Sequence, residues 1–494
     1  MNYIIENHTH EYETQTIIQV FRPNERYTRL LSPPTEGFCV LCRKEENGFR
    51  AIIFENGIIM AENFEKITAL PYYQNVLPSF KHDEEEHRAL KTAIFRAFLS
   101  YGEHASPWGI LTGIRPAKIA RKLLESFPEN YSLNILKDIY FLAEQKAMLA
   151  VEVAKKEQKI LNNEKGTAAL YIGVPFCPSK CLYCSFTSYP VDKYYSGKNS
   201  KMEQYFSSFT KEIVELGKLY KNEKVDIIYV GGGTPTSLNE YYFEKLLSLI
   251  AENFRTDISE FTVEAGRPDS TTLEKLRILR RYNVGRISIN PQTLNDKILE
   301  TIGRKHTVAD FFACYENAQA EGFRNINIDL IAGLPNETVS GIEETFRQIA
   351  LLSPTAVTVH TLAVKRASAL NHNLAEYSLS DYSQIEKQLA AAENFAQSAN
   401  LKPYYMYRQK NMLGNFENVG YCAEGFECAY NVHTMEESLP IIGIGAGSVT
   451  KILSDNLSQN DKIDRIFNPK GIEDYINNID EIIERKKKAY YRKK

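Results

Sequence analysis

The middle of the chain alternates between short apolar runs and amphipathic segments, and this alternation restricts the fold more than any other feature. Six runs rich in β-branched residues follow one another, at 169–174, 225–230, 260–264, 286–290, 325–331 and 356–360. The segments between them are typical of helices, as at 202–220, 242–253, 272–282 and 341–352. Apolar strands that alternate with helices predict a parallel sheet with helices outside it. Because a closed barrel needs eight units, six predict an open, partial (β/α)6 barrel with its chemistry at the carboxyl ends of the strands.

The regions on either side of this alternation have a different pattern. Before it, we predict strands at 16–21 and 38–41 and helices at 84–100, 117–125 and 133–161. After it, we predict a helix at 379–399, strands at 403–410 and 440–443, and a terminal helix from Ile472. The polar run 162–166 marks the first boundary. The sequence therefore predicts an α/β protein with an N-terminal α+β module at 1–165, a core at 166–380 and a small C-terminal α+β module at 381–494.

Length and charge exclude several classes of protein. The 494 residues carry 59 Lys and Arg against 62 Asp and Glu, which gives a net charge of −3. This balance lacks the basic footprint of nucleic-acid-binding proteins, so we predict no nucleic-acid partner. The first residues do not resemble a signal peptide. The longest uncharged run, at 348–364, is shorter than the roughly 20 residues of a spanning helix. We therefore predict a cytoplasmic protein without a membrane partner.

Three of the eight cysteines fall within eight residues, directly after the first predicted strand. Cys177, Cys181 and Cys184 have the spacing C-x3-C-x2-C. Three thiolates can hold three irons of a [4Fe–4S] cluster, and the fourth iron then stays open to another ligand. The alternative is a structural zinc site, but such a site needs a fourth ligand, and no histidine lies nearby. The spacing therefore favours an iron–sulfur cluster.

Other conspicuous residues are interpreted as structural. Cys39 and Cys42 lie in an apolar run, where cysteines usually behave as small buried hydrophobes. His8 and His10 are interpreted as surface residues near the N terminus. The last ten residues, 485–494, hold seven cations. This run is typical of a solvated, frayed helix end, with the binding of RNA or an acidic partner as the alternative.

The cysteine loop resembles that of the radical S-adenosylmethionine (SAM) superfamily. The segment YIGVPFCPSKCLYCSF, from Tyr171 to Phe186, resembles the oxygen-independent coproporphyrinogen III oxidase-like family. The first 160 residues resemble a longer, second type of these proteins. The resemblance implies that Cys177, Cys181 and Cys184 ligate a [4Fe–4S] cluster and that Tyr171 contacts the cofactors. It also implies that SAM chelates the open iron and is cleaved to methionine and a 5′-deoxyadenosyl radical, so that the cofactors carry the difficult chemistry.

The second predicted strand ends in a glycine run that resembles another motif of this family. The run reads GGGTPT from Gly231 to Thr236. Consecutive glycines let the backbone approach a ligand closely and adopt positive φ angles. By itself this pattern also fits a tight turn between a strand and a helix. The resemblance implies that Gly232, Gly233 and Thr234 meet the methionyl end of SAM.

Five positions after the later strands resemble further SAM contacts of the family. Glu264 ends the third strand, where a carboxylate can accept hydrogen bonds from ribose hydroxyls or an ammonium group. Gln292, Arg304 and Asp329 match positions that bind SAM, including a second SAM molecule, and Ala363 matches another by spacing. The structural alternatives are a surface charge for Arg304 and a helix cap for Asp329.

The resemblance implies a tetrapyrrole substrate and a reductant protein as electron donor. The implied reaction is the oxidative decarboxylation of coproporphyrinogen III propionates to vinyl groups, with Lys365, Arg366 and Arg267 as candidate cations for the propionates. Phe186 stands where the decarboxylating enzymes carry a further cysteine. The His-Asn…Tyr-Trp segment of the haem-chaperone relatives is absent, and only 430–433 is similar to it. A haem-binding carrier on the same scaffold and a radical SAM enzyme with another substrate are therefore the alternatives.

Overall fold

The chain forms two compact units. The structure is a computed structural model that describes residues 1–23, 25–68, 82–162, 168–186, 188–196, 200–254, 258–409, 412–453 and 463–493. The first unit comprises Met1–Lys155 and Met406–Glu417, and the second comprises Lys156–Tyr405 and Asn418–Lys494. The predicted module boundary at 165 and 166 lies outside the described residues.

The first unit is an α+β fold on a five-stranded sheet. Its strands are β1 (Asn2–Glu6), β2 (Thr28–Arg29), β3 (Phe38–Glu45), β4 (Gly48–Glu55) and β5 (Ile58–Lys66), in the spatial order β2-β1-β3-β4-β5. Its helices are α1 (Glu11–Phe21), α2 (His82–Tyr101), α3 (Pro116–Leu124), α4 (Glu129–Asp138) and α5 (Glu144–Asn162). The buried Glu417 ties the segment Met406–Glu417 to this unit, because it accepts a hydrogen bond from Trp108 Nε1 at 2.7 Å and pairs with Lys146 at 2.7 Å. Cys39 and Cys42 are fully buried in β3, as the sequence predicts.

Two sequence predictions in this unit are wrong. Residues 16–21, whose β-branched content predicts a strand, form the end of α1. Tertiary packing overrides that propensity, since Ile17 and Ile18 are buried and the Phe21 ring stacks on Phe98 with centroids 4.4 Å apart. The single helix predicted at 133–161 is two helices, α4 and α5. Phe141 breaks it with a φ of +60°, in the left-handed region that a continuous helix cannot contain.

The second unit is built around an eleven-stranded sheet. The strands of this unit are β6 (Ala168–Val174), β7 (Phe176–Cys177), β8 (Tyr189–Pro190), β9 (Val225–Gly232), β10 (Glu260–Glu264), β11 (Arg286–Ser288), β12 (Asn325–Ala332), β13 (Ala356–Thr361), β14 (Lys402–Tyr407), β15 (Asn418–Cys422), β16 (Ile441–Ile444), β17 (Val449–Ile452) and β18 (Asp464–Phe467). The sheet has the order β14-β15-β13-β12-β11-β10-β9-β6-β16-β17-β18, and β7 and β8 form a separate ribbon. Strands β6, β9, β10, β11, β12 and β13 are all parallel. These six strands confirm the predicted α/β class with its large parallel sheet.

The helices of this unit fill the connections between the strands. They are α6 (Lys201–Leu219), α7 (Glu240–Asn253), α8 (Leu273–Arg281), α9 (Asp296–Thr301), α10 (Val308–Ala320), α11 (Val339–Ala350), α12 (Ala369–His372), α13 (Tyr382–Ser398), α14 (Ala429–Glu436), α15 (Ile472–Asn477) and α16 (Ile479–Lys493). Their apolar residues recur at helical spacing, as in α11, which buries Ile342, Phe346 and Ile349. We find no helix in the described part of the chain with the length and apolar character that crossing a membrane requires.

Strands of the C-terminal region extend the eleven-stranded sheet at both of its edges. Strand β16 pairs in parallel with β6, and β15 pairs antiparallel with β13. Residues 485–493 of the basic run, which was predicted to be a frayed helix end, belong to α16. Its Lys486 side chain is fully buried and pairs with the buried Glu212 of α6 at 2.6 Å. Helix α16 is therefore anchored through Lys486 in the interior of this unit.

Candidate active site

The three clustered cysteines lie on the loop that directly follows β6. Backbone hydrogen bonds close this loop, as Tyr189 N donates to Pro175 O at 2.9 Å. Two more fix its middle, from Leu182 N to Ile302 O at 3.0 Å and from Leu370 N to Leu182 O at 2.9 Å. The cysteine loop is therefore braced by the segments that follow β11 and β13.

The thiols of this loop are free and lie near one another. Cys181 is buried, while Cys177 and Cys184 are half-buried. Burial raises the pKa of Cys177 and raises that of Cys184 to about 11, and the neighbouring thiols of the loop add to both shifts. The raised pKa values keep these thiols protonated at neutral pH in the absence of a metal. A bound metal would stabilise the thiolate form, because coordination deprotonates a thiol.

Polar side chains, among them Thr234 and Arg267, approach the cysteine sulfurs. Thr234 Oγ1 lies 3.5 Å from Cys177 Sγ, and Arg267 Nη1 lies 3.7 Å from Cys181 Sγ. The buried Arg267 guanidinium is held by Asp269 through bonds of 2.9 and 2.7 Å. Hydrogen bonds to the sulfurs are one means by which proteins tune an iron–sulfur cluster. Arg267, predicted as a cation for substrate carboxylates, is instead engaged by Asp269 and the cysteine loop.

The glycine run packs directly against the cysteine loop. Thr234 N donates to Phe176 O at 2.7 Å. A Cβ atom at Gly233 would lie 2.4 Å from Phe176 O and 3.1 Å from Cys177 Sγ, so no side chain fits there unless the loop moves. Gly232 has a φ of +103°, a conformation that favours glycine. The two motifs thus form one surface, in which the contacting residues Cys177 and Thr234 are 57 positions apart in sequence.

An aromatic and acidic cluster lies beside the glycine run. Tyr229 Oη donates to Glu264 Oε1 at 2.6 Å. The Tyr171 ring stacks on those of Tyr229 and Tyr430, with centroids 6.3 and 6.0 Å apart. Burial raises the pKa of Glu264 to about 7, and the charge of Asp329 contributes to the shift, although the hydrogen bond from Tyr229 opposes it. The Glu264 carboxyl is therefore poised between its neutral and charged forms near neutral pH.

Two further predicted residues carry buried polar atoms without a partner. Gln292 has a φ of +74°, and its N–H donates to Asp329 O at 3.0 Å. Arg304 donates to Asn290 O and, at 3.3 Å, to Tyr183 Oη. Among the residues that the structure describes, neither Gln292 Oε1 nor Arg304 Nε has a hydrogen-bond partner. Such orphaned atoms are rare in proteins and indicate a place for a bound group.

Asp329 belongs to a polar network that crosses three strands. Its Oδ1 accepts from Asn327 Nδ2 at 2.6 Å, and its Oδ2 lies 3.8 Å from His360 Nε2. Asn327 also donates to Ser288 Oγ at 3.2 Å and accepts from Thr358 Oγ1 at 2.9 Å. Burial acts to raise the pKa of Asp329, but the nearby His360 and the hydrogen bond from Asn327 outweigh it, and the pKa lies below its usual range.

Several members of this site were not predicted from the sequence. They are Tyr229, Ser288, Asn327, Thr358 and His360. Polar residues at every second position within otherwise apolar strands could have indicated them, because alternate residues of a strand share one face. The predicted residues lie at or beyond the carboxyl ends of the parallel strands, apart from two within strands: Tyr171 in β6 and Asp329 in β12. Ala363 is half-buried two residues beyond β13.

The chain is similar to several known proteins. Residues 171–349 match the radical SAM superfamily. The chain is 39% identical over 376 residues to the oxygen-independent coproporphyrinogen-III oxidase-like protein HemZ of Bacillus subtilis (strain 168), which covers 74% of each chain. It is 30% identical over 281 residues to the heme chaperone HemW of the same organism, covering 56% of this chain and 69% of that relative. The solved structure of coproporphyrinogen III oxidase (HemN) from Escherichia coli has a similar fold, with a TM-score of 0.50 and 23% identity over 66% of this chain and 72% of that chain.

Proposed function

Because this chain belongs to the radical SAM superfamily, within its family of oxygen-independent coproporphyrinogen-III oxidase-like proteins, we propose that it oxidatively decarboxylates propionates of coproporphyrinogen III. Each propionate would lose one hydrogen atom, carbon dioxide and one electron to leave a vinyl group, and two such reactions would give protoporphyrinogen IX. The observation that carries this proposal is the 39% identity to HemZ across 74% of both chains. Proteins of the superfamily use a [4Fe–4S] cluster and SAM.

The cysteine loop fits a cluster by the chemistry of its donors. Cys177, Cys181 and Cys184 would hold three irons, because thiolates are the preferred ligands of iron–sulfur clusters. When bound, the cluster and SAM supply the one-electron chemistry that removes a hydrogen atom from the substrate. Thr234 and Arg267 contribute hydrogen bonds to the sulfurs, and Asp269 keeps Arg267 in place for this role.

The neighbouring residues fit SAM through their unused hydrogen-bonding capacity. The orphaned Oε1 of Gln292 can accept from a ligand hydroxyl or ammonium group. Gly232 and Gly233 leave the backbone accessible, and Glu264 offers a carboxyl group. We propose that one or two SAM molecules are bound by Tyr171, Gly232, Gly233, Thr234, Glu264, Gln292, Arg304, Asp329 and Ala363.

Two cations are suitably placed for the substrate carboxylates. Lys365 is half-buried and Arg366 is exposed, and both follow β13 at the edge that carries the site. Burial lowers the pKa of Lys365, yet a bound propionate would favour its charged form. Charge-assisted hydrogen bonds of this kind hold carboxylates firmly. A reductant protein would supply the electrons that the cluster needs for the cleavage of SAM.

One observation favours a second candidate, a haem-binding carrier. The Phe186 side chain is 67% exposed beside the cysteine loop, at the position where the decarboxylating enzymes are expected to carry a cysteine. An exposed aromatic ring can pack on a flat macrocycle, and one relative of this chain is named a heme chaperone.

An anaerobic assay separates these candidates. The protein is purified without oxygen, its cluster is reconstituted, and coproporphyrinogen III, SAM and a reductant are added while protoporphyrinogen is measured. We expect product with the native chain. With Cys177→Ala we expect neither product nor the brown cluster absorbance, whereas Cys314→Ala, which alters a buried cysteine of α10, should retain both.

The remaining outcomes contradict the proposal in distinguishable ways. A stoichiometric Soret band on adding haem, without decarboxylation, would assign the carrier function. SAM cleavage that coproporphyrinogen III does not stimulate would indicate a different substrate for the same cofactors. Absorbance that survives in Cys177→Ala would overturn the ligand assignment itself.

A further inference from the structure

Two histidines and a glutamate come together in the first unit. His10 is the residue before α1, Glu13 lies in the first turn of that helix, and His87 lies in α2. One nitrogen or oxygen atom from each lies within 4.8 Å of the other two. The sequence analysis interpreted His10 as a surface residue, but only 20% of its side chain is exposed. The radical SAM chemistry proposed above uses none of these residues.

The distance between the two histidine nitrogens matches that between two ligands of one metal ion. His10 Nδ1 and His87 Nε2 are 3.2 Å apart, and His87 Nε2 is 3.9 Å from Glu13 Oε1. Two nitrogens bound to a tetrahedral zinc ion at about 2.0–2.1 Å lie roughly 3.3 Å from each other. The two rings are inclined at 84°, and their centroids are only 4.7 Å apart. The structure places the two nitrogens at hydrogen-bond distance, and a bound ion would replace that hydrogen bond.

A carboxylate fixes the orientation of one of these histidines. His10 Nε2 lies 3.0 Å from Glu86 Oε2, and Glu86 is itself held by Lys44 Nζ at 2.7 Å. Metal-binding histidines commonly donate their second ring N–H to such a carboxylate, which fixes the tautomer and makes the other nitrogen a better ligand. With Nε2–H directed at Glu86, His10 Nδ1 presents its lone pair toward His87.

An ion can reach these side chains from solvent. The exposed fractions are 33% for His87 and 19% for Glu13, and His87 also lines a cavity of about 320 Å³. Imidazole and carboxylate together suit zinc, and zinc with three protein ligands completes its shell with water. We propose that His10, Glu13 and His87 bind one zinc ion, with water as the fourth ligand. The ion would link the start of α1 to α2.

Zinc binding to the full-length, tag-free protein with its cluster reconstituted tests this proposal. We expect equilibrium dialysis followed by metal analysis to find one zinc per chain. His10→Gln and His87→Gln should each weaken zinc binding at least tenfold, since each removes one of three ligands. His104→Gln, which alters an exposed histidine of the same unit, should bind zinc like the native chain. Equal binding by all four proteins, or no stoichiometric zinc, would overturn the proposal.

The coordination shell distinguishes this site from the cysteine loop. X-ray absorption at the zinc edge should show only nitrogen and oxygen near 2.0–2.1 Å, whereas a sulfur shell near about 2.3 Å would place the ion on cysteines and contradict the proposal. Glu86→Gln provides a test that removes no ligand, and we expect it to weaken zinc binding by roughly 10- to 100-fold. If a histidine variant fails to fold, Glu86→Gln tests the proposal instead. Unchanged zinc affinity in this variant would exclude His10, oriented by Glu86, as a zinc ligand.

Discussion

The raised pKa of the Glu264 carboxyl group makes the stability of the folded protein depend on pH. Burial and the nearby Asp329 charge raise its pKa from 4.5 to about 7. A carboxyl whose pKa is raised in the folded state binds its proton more tightly there, so stability is lost progressively as pH rises from about 4.5 through 7. At about 1.4 kcal/mol for each pKa unit, the full loss above pH 7 is on the order of 3 kcal/mol. We therefore expect Glu264→Gln to raise the unfolding temperature at pH 8 and to change it little at pH 5.

Thermal unfolding followed by circular dichroism, without added SAM, measures this difference. Glu300→Gln is the matched control, because Glu300 is an exposed carboxylate of the same unit, and its effect should not depend on pH. If Glu264→Gln changed the unfolding temperature equally at pH 5 and pH 8, the raised pKa would be excluded.

Single residues of the site were predictable where a motif fixes their type and spacing. The cysteine spacing and the glycine run identified two loops that do meet, since Gly233 packs against Cys177. The partners of these residues were not predictable. Arg267 was expected to face the substrate, but Asp269, two residues along the chain, pairs with it. Nothing in the spacing of the two residues distinguishes an ion pair from two independent surface charges.

At the scale of elements, the glycine run and the cysteine loop behave as one packed pair. A Cβ at Gly233 would overlap Phe176 O and approach Cys177 Sγ, so Gly233→Ala must displace the cysteine loop. We expect this variant to retain less than about a tenth of the iron and sulfide of the native chain after reconstitution, because metal sites tolerate only small shifts of their ligands. Colorimetric iron analysis and the absorbance of the cluster measure the loss.

The control for this substitution is another glycine of the second unit. A Cβ at Gly285 would meet no heavy atom of the described residues within 4 Å. Gly285→Ala should therefore load iron like the native chain. Native iron content in Gly233→Ala would show that the close packing of the two loops does not position the cysteines.

The elements of the second unit were predicted far better than those of the first. Six apolar strands that alternate with helices usually form a parallel sheet. All six predicted strands occur in the sheet of this unit. In the first unit, β-branched residues at 16–21 favoured a strand, although their packing against α2 makes them part of α1. Local propensity decides little where a short segment can bury the same apolar side chains in either conformation.

At the scale of the whole molecule, the C-terminal residues return to the first βα unit of the sheet. Strand β16 extends the sheet beside β6, and α16 places Lys486 against Glu212 of α6. The sequence could not predict this arrangement, because a run of seven cations is usually solvated. Lys486 is buried because its partner is the buried Glu212, which lies 274 positions away in sequence.

This buried ion pair leads to a prediction about the stability of the second unit. Burial opposes the charge on Glu212, but Lys486, Gly445 N–H and Tyr475 Oη hold its pKa below the usual range. Removing one partner of a buried pair leaves an uncompensated charge, which typically costs about 3–5 kcal/mol. We expect Lys486→Met to destabilise the protein by this amount in denaturant unfolding. Lys488→Met, which alters an exposed lysine of the same helix, should cost less than about 0.5 kcal/mol.

The double variant Glu212→Gln/Lys486→Met shows whether the loss arises from the unpaired charge. Glutamine can still accept hydrogen bonds from Gly445 and Tyr475 but carries no charge, and methionine fills most of the space of the lysine stem. Replacing both partners of a buried pair by neutral side chains is often far less harmful than removing one. We therefore expect the double variant to be more stable than Lys486→Met alone. If the double variant were less stable than Lys486→Met, the destabilisation would arise from lost packing around α16 and not from the unpaired charge of Glu212.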